Sequence, residues 1–262
     1  MKERFIQVRG LRIRYVELGD AAAPTLLLVH GLGGSIESWI EILDRLAEGL
    51  HVIAFDLPGY GRSDRPDAPY TIEYFADFVC TLIDCMKLKS VILAGHSMGG
   101  MIVMKTYSKC SEKIKALILI DAAGISRTAA EKIKQYMGDG WTLERLRKLY
   151  LDCILGRLGK LDEARLREVL RMMKDPSFRR VYFRALDSIA EPLSEEEVRG
   201  IRVPTLIIWG SDDKLTPLQD GIKLNQLISE SRLVFVEGVG HSPHREAPRK
   251  VVREIIDFAS KI

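Results

Sequence analysis

The chain has 262 residues, 47% of them hydrophobic and 29% charged, which is ordinary globular usage and excludes disordered, collagen-like and low-complexity classes. Its longest apolar runs, at residues 25–29, 91–94 and 116–120, fall far short of the roughly 18 residues a membrane span needs. The net charge is +3 and the two signs interleave along the chain, so no basic stripe suggests a nucleic-acid groove.

In chain order, residues 5–8 and 11–17 alternate apolar and polar around Arg9-Gly10, the pattern of a hairpin with one face on a core. The pattern then changes to continuous apolar runs at 25–29, 52–55, 91–94, 117–120 and 205–209, as expected of parallel strands buried on both faces. Helix-length segments separate them at 36–48, 72–86, 98–109 and 217–228, and a last strand at 233–236 precedes a closing helix at 248–260. Repeated strand-then-helix order predicts an α/β fold, a mostly parallel central sheet with helices on both faces, whose ligands bind beyond the carboxyl ends of the strands. Residues 125–200 break the alternation. They hold helical spacing around Trp141, over 161–173 and over 178–189, with Pro176 and Pro192 as breaks. The expected organisation is a core of 1–124 and 201–262 with 125–200 inserted as a helical cap.

Cys80, Cys85, Cys110 and Cys153 match no metal spacing and no small-scaffold disulfide pattern. They read as reduced thiols, and with residues 1–4 leading straight into a strand, the expected location is cytoplasmic. Asn225 is the only asparagine while Lys, Arg and Glu are plentiful, a bias associated with hot environments; the eight Met and four Cys pull the other way.

The strongest chemical signal is Gly95-His96-Ser97-Met98-Gly99-Gly100, directly after one apolar run and directly before a helical one. A serine on a sharp strand-to-helix turn needs strained dihedrals and close helix–strand contact, which small residues two positions to either side permit. The helix start then offers the Met98 N–H to a developing oxyanion. A serine hydroxyl is a poor nucleophile without an adjacent imidazole. Of the five histidines, His30, His51 and His96 read as packing or hydrogen-bonding residues.

With these motifs the chain resembles the α/β-hydrolase superfamily over nearly its whole length, in a serine-nucleophile, carboxylesterase-like branch. His30-Gly31-Leu32-Gly33-Gly34 is similar to the family's oxyanion loop, which implies the Leu32 N–H as second donor. Asp56-Leu57-Pro58-Gly59-Tyr60-Gly61-Arg62-Ser63-Asp64 looks like its D-x-P-G-x-G-x-S loop, structural in most members, so Asp56 and Asp64 are expected in turn-stabilising hydrogen bonds. Gly240-His241-Ser242-Pro243-His244 stands where the family places its general base, which implies His241 rather than His244, and Glu246-Ala247-Pro248 matches its loop-to-helix ending. Trp209-Gly210-Ser211-Asp212-Asp213-Lys214-Leu215-Thr216-Pro217 matches the G-x-x-D-x-x-x-P loop, which implies Asp213 rather than Asp212 as the acid, with Asp121 at an alternative position used by some relatives. The order Ser97, Asp213, His241 is the one this fold carries.

The activity so implied is hydrolysis of carboxylic esters of small to medium apolar acyl groups, with Gly31, Trp141, Met172 and Phe183 as candidate pocket residues and no metal or organic cofactor. Arg and Lys of the cap read as solvated faces. The expected partner is a small-molecule ester, with no nucleic acid and a monomer or dimer as the assembly. Lactonase or perhydrolase activity would use the same triad. Carbon–carbon bond hydrolases of dienone acids share the Asp-Leu-Pro-Gly and Ser-Met-Gly-Gly segments, yet usually carry Asn before the nucleophile and an aromatic residue after the base, where this chain has His96 and Ser242. A dehalogenase would need a carboxylate at 97, and a non-catalytic binding protein would have no use for an intact triad.

Overall fold

The computed structural model describes residues 2–262. Arg9 and Gly10 both take positive φ, 51° and 78°, the turn whose twist suits a two-residue hairpin, and join β1 (Arg4–Val8) to β2 (Leu11–Leu18) antiparallel. Then follow β3 (Thr25–Val29), β4 (His51–Phe55), β5 (Val91–His96), β6 (Ile114–Ile120), β7 (Thr205–Gly210) and β8 (Ser231–Val236). The eight strands form one sheet in the order β1-β2-β4-β3-β5-β6-β7-β8, antiparallel at β1–β2 and β2–β4 and parallel elsewhere. The central strands β3, β4, β6 and β7 are buried along almost their whole length, which is why their sequences are unbroken apolar runs.

Two apolar clusters flank the sheet. Side chains alternate across each strand, so Leu27, Val29, Leu93, Leu117 and Ile207 pack against α2 (Ile72–Cys85) and α3 (Met98–Cys110), while Leu26, Leu28, Ile92, Ile118 and Ile208 pack with Trp39, Val251 and Ile255 on the other face. The helix expected over 36–48 is instead a 3-10 turn, Ile36–Trp39, and one turn of α-helix, α1 (Leu43–Leu46). Ile36, Trp39, Ile42, Leu43 and Leu46 are all buried, so the apolar spacing reported burial, and two short turns satisfied it.

Between β6 and β7 come α4 (Thr128–Met137), α5 (Leu143–Leu149), a π-helical turn (Tyr150–Ile154), α6 (Glu163–Met172), α7 (Pro176–Ile189) and α8 (Glu195–Arg199). Pro176 opens α7, where its missing N–H costs nothing, with the Asp175 carboxylate accepting from the Ser177 N–H. The chain closes with α9 (Leu218–Leu227), α10 (Pro243–Glu246) and α11 (Pro248–Ala259).

The cysteine expectation is corrected. Cys80 on α2 and Cys110 at the end of α3 form a disulfide across a sequence separation of 30, and only Cys85 and Cys153 are free. Spacing could not reveal the pair, because two adjacent helices bring it together. The bond also removes the cysteine argument for a reducing compartment, since such bonds persist in oxidising compartments and inside hyperthermophiles. No helix among the described residues is long and apolar enough to cross a membrane.

Candidate active site

Ser97 sits between β5 and α3 with φ 54° and ψ −120°, outside the basins an L-residue ordinarily occupies. The packing around it enforces this conformation. A Cβ on Gly95 would stand 2.2 Å from the Gly99 carbonyl oxygen, and one on Gly99 would stand 2.1 Å from that of Val29. Helix α3 therefore runs against β3 and β5 at a separation that glycine alone allows. As the first residue of α3, Met98 has no intrahelical acceptor for its N–H. Across from it the Gly34 N–H donates to the Gly31 carbonyl at 3.0 Å, a turn with Gly33 at φ 68° that leaves the Leu32 N–H outside its own hydrogen bond.

His241 and Asp213 are buried in the loops after β8 and β7. The Nδ1 of His241 lies 2.8 Å from Asp213 Oδ2 and 3.1 Å from Thr216 Oγ1, which leaves Nε2 as the free ring nitrogen. Ser97 and His241 line one cavity. The carboxylate is held on all sides, because Oδ1 accepts from the N–H groups of Leu215 at 2.7 Å and Thr216 at 3.1 Å, and Oδ2 accepts from the Thr216 hydroxyl at 2.6 Å. Asp212 faces away and pairs with Arg157 at 2.9 Å. Thr216 went unnoticed in the sequence although it stands three residues after Asp213, because its contribution depends on how the loop folds back.

Asp121 is fully buried at the end of β6 with φ 42°. Its Oδ1 accepts from the Gly210 N–H at 2.9 Å, and its Oδ2 has no partner among the described residues. Burial, and after it the charge of Asp213, hold its carboxyl well above the usual range.

The other histidines take structural places. His30 Nε2 accepts from the Leu57 N–H at 3.1 Å while its Nδ1 donates to the Gly31 carbonyl at 2.9 Å, tying the Gly31–Gly34 turn to the loop after β4. In that loop Asp56 accepts from the Ile36 and Arg62 N–H groups, each at 2.8 Å, and Asp64 from the Arg12 N–H at 2.7 Å. His51 bridges Thr25 and Glu17. His96 Nε2 lies 2.6 Å from the His241 carbonyl and therefore donates to it. His244 packs tilted against Trp39 and edge-on against His96 at ring-centroid separations of 4.8 and 4.5 Å, and neither of its nitrogens completes a hydrogen bond among the described residues. Burial first, and then the charge of Arg245, push its protonation well below the imidazole range.

The cavity holds about 520 Å³ and its lining is both apolar and polar. Ile133, Trp141, Leu146, Leu149, Val169 and Tyr182 from the inserted helices make an apolar wall, whereas Ser38, Glu41, His96, His244, Arg245 and Arg165 gather polar groups. Gly31 and Trp141 line it as expected, but Met172 and Phe183 do not: both pack partly buried against the core. Met172 shares the α6 face of Arg165 and Val169 yet stands about 4.5 Å further along the axis than Val169, and Phe183 is rotated by about 100° from its cavity-lining neighbour Tyr182. Among the cap cations, expected as solvated faces, Lys160 is exposed and Arg165 half-buried, and both line the cavity. Arg245 is paired with Glu41 at 3.2 Å, while no carboxylate of the described residues pairs with Arg165.

A hydroxyl on a strained turn, a buried imidazole–carboxylate pair and two unengaged N–H groups around one cavity are the components of acyl transfer. The sequence model of the alpha/beta hydrolase family matches residues 26–254. The chain belongs to that family. It is 29% identical over 271 residues to the 2-hydroxy-6-oxo-6-(2'-aminophenyl)hexa-2,4-dienoic acid hydrolase of Metapseudomonas resinovorans, covering 99% of this chain and 91% of that protein. It is 28% identical over 268 residues to the 2-hydroxy-6-oxo-2,4-heptadienoate hydrolase of Pseudomonas putida, covering 97% of this chain and 95% of that one. Among solved structures, a membrane phospholipase A described as a bacterial virulence factor superposes with a TM-score of 0.87 at 30% identity, over 99% of this chain and 86% of that chain.

Proposed function

We propose that this alpha/beta hydrolase cleaves the carbon–carbon bond beside the 6-oxo group of a 2-hydroxy-6-oxohexa-2,4-dienoic acid, through an acyl-enzyme on Ser97. The observation that carries this reading is Arg165, which lines the same cavity as Ser97 and has no carboxylate partner among the described residues. Arg165 is half-buried, and a substrate carboxylate completes a pair with it. The two dienoic acid hydrolases similar to this chain along nearly its whole length support the same substrate class.

Acyl transfer breaks a carbon–carbon bond only if the departing carbon can hold the electron pair. In the dienoate, moving the 2-hydroxyl proton to C5 produces a 2-oxo group conjugated through C3=C4 to C5, so that the pair left on C5 becomes a dienolate next to the carboxylate. Ser97 Oγ attacks C6, His241 Nε2 takes its proton, and the N–H groups of Leu32 and Met98 hold the oxyanion, each worth about 2.7 to 4 kcal/mol. The C5–C6 bond then breaks, the imidazolium returns its proton to the dienolate oxygen, and His241 activates a water that releases the acid from Ser97. Asp213, itself fixed by Thr216 and two backbone N–H groups, keeps the proton on Nδ1 and stabilises the imidazolium. Net, one water is consumed and a carboxylic acid and a 2-hydroxydienoate form. The helical insert serves as the cap that makes the apolar wall.

A second reading, hydrolysis of apolar carboxylic esters by the same residues, is favoured by His96 and Ser242, which replace the Asn and aromatic residue usual in the dienone-acid enzymes. The discriminating experiment compares a 6-phenyl dienoate, whose visible chromophore bleaches on cleavage, with p-nitrophenyl butyrate. The dienoate reading requires the larger kcat/KM for the dienoate and a selective loss of it in Arg165→Ala. Turnover of the ester alone would overturn it in favour of the second reading. Ser97→Ala is expected to lose roughly six decades of rate on either substrate.

A further inference from the structure

Residues 150–159 of the helical insert are stitched to both loops that carry His241 and Asp213. The His241 N–H donates to the Ile154 carbonyl at 2.7 Å, the Leu158 N–H to the Gly238 carbonyl at 3.0 Å, and the Lys214 N–H to the Cys153 carbonyl at 3.3 Å. Glu246, at the end of α10, closes the junction. Its Oε2 accepts from the Gly156 N–H in the insert at 3.1 Å and from the Gly240 N–H, next to His241, at 3.2 Å. The backbones meet with no room for a side chain: a Cβ on Gly156 would stand 2.4 Å from the Gly240 nitrogen, and one on Gly240 would stand 2.1 Å from the Ile154 carbonyl oxygen. The other surface of this segment faces the substrate space, because Tyr150, Ile154, Leu155 and Leu158 line the cavity. A single-turn π-helix, Tyr150–Ile154, leads into the junction, a local distortion that recurs at functional sites.

We propose that Glu246 is a positioning residue that makes the seating of the cap and the placement of the His241 ring a single event. One carboxylate oxygen shared by two N–H groups, one from each partner, allows neither backbone to shift without breaking a charge-assisted bond. A substrate pressing on Ile154 is thereby felt one hydrogen bond away, at His241, whose N–H the Ile154 carbonyl holds. The proposal rests on the assignment of His241 as the base of Ser97, and its test is chosen so that the dienoate question does not enter.

The probe is a fluorophosphonate, whose reaction with Ser97 needs the serine, its base and the oxyanion donors but no particular natural substrate. In Glu246→Ala the labelling rate and the kcat for p-nitrophenyl butyrate are expected to fall together by about 10²-fold, the scale of a misplaced catalytic group, with KM little changed and labelling still reaching one adduct per chain. Glu246→Gln keeps an acceptor oxygen for both N–H groups and is expected to recover most of the rate. Wild-type labelling in Glu246→Ala, an equal loss in Glu246→Gln, or a rise in KM at constant kcat would each overturn the proposal. Should Glu246→Ala not fold, Gly156→Ala drives its methyl against Gly240 from the insert side and leaves Glu246 in place; the same fall in kcat is expected, and an unchanged kcat overturns the proposal. Labelling of Ser97→Ala at the wild-type rate would instead overturn the serine assignment beneath it.

Discussion

Replacing Asp213 by Asn tests whether the acid acts through the tautomer of His241, and the structure decides which way the amide will point. The carboxylate Oδ1 accepts from the N–H groups of Leu215 and Thr216 at 2.7 and 3.1 Å, while Oδ2 faces the Thr216 hydroxyl at 2.6 Å and His241 Nδ1 at 2.8 Å. Backbone donors cannot become acceptors, so the Asn oxygen must take the Oδ1 place and its NH2 the Oδ2 place. Flipping it would set NH2 against two buried N–H groups and strand both, at about 1 to 3 kcal/mol each. In the favoured orientation the amide donates to Nδ1, which forces the imidazole proton onto Nε2, the nitrogen that has to accept the proton of Ser97. The Thr216 hydroxyl can turn to the Asp121 carbonyl, 3.2 Å away, so the fold survives. The expected loss is about 10⁴-fold in kcat, or roughly 5.5 kcal/mol of transition-state stabilisation at 1.36 kcal/mol per decade, with KM and the melting temperature changed little. The measurement is kcat and KM on p-nitrophenyl butyrate alongside a thermal melt. Turnover within tenfold of wild type would refute the reasoning, since the wrong tautomer could not then be the consequence of losing the carboxylate.

Asp121 should make stability depend on pH in the sense opposite to a salt-bridged acid. Its folded-state value is raised by burial and by Asp213, so the stability it contributes is fully present below the unfolded carboxyl range near 3.9 and is lost as pH rises through the raised value. The melting temperature of Asp121→Asn should therefore gain on that of wild type as the pH is raised from about 4 to 9; a constant gap would show that folding does not raise the Asp121 carboxyl above its unfolded range. The Cys80–Cys110 bond closes a loop across 30 residues, for which chain entropy gives about 3 to 4 kcal/mol. Reduction, or Cys80→Ala with Cys110→Ala, should lower the melting temperature by roughly 10 °C at about 2 to 4 °C per kcal/mol, and equal melts with and without reductant would contradict it.

Several elements were legible because one local cause dominated each. The runs at 25–29, 117–120 and 205–209 are apolar without alternation since both sheet faces are covered, and the structure places strands over each of them. The turn around Ser97 was visible because Gly95 and Gly99 stand where an added Cβ would meet a carbonyl oxygen at about 2 Å, which no other residue tolerates. The segment 36–48 misled for a related reason: its apolar spacing records which side chains are buried, and burial alone does not require a continuous helix. Met172 and Phe183 show the same limit on the scale of a single side chain, since helical position gives a face but not whether the cavity extends that far.

What the linear order of residues determined was the α/β sheet, the run of helices between its sixth and seventh strands, and the strand-to-helix turn that carries Ser97. Only the folded chain decided their relations. The Cys80–Cys110 bond, the Asp121 carboxylate held by the Gly210 N–H and the Glu246 oxygen shared by Gly156 and Gly240 each join residues from separate elements. The physical reason is range. Hydrophobic periodicity and glycine sterics act over a few neighbouring residues and leave a local trace, whereas hydrogen bonds, charges and thiols meet across the chain wherever packing puts them, and no spacing in the sequence records that meeting.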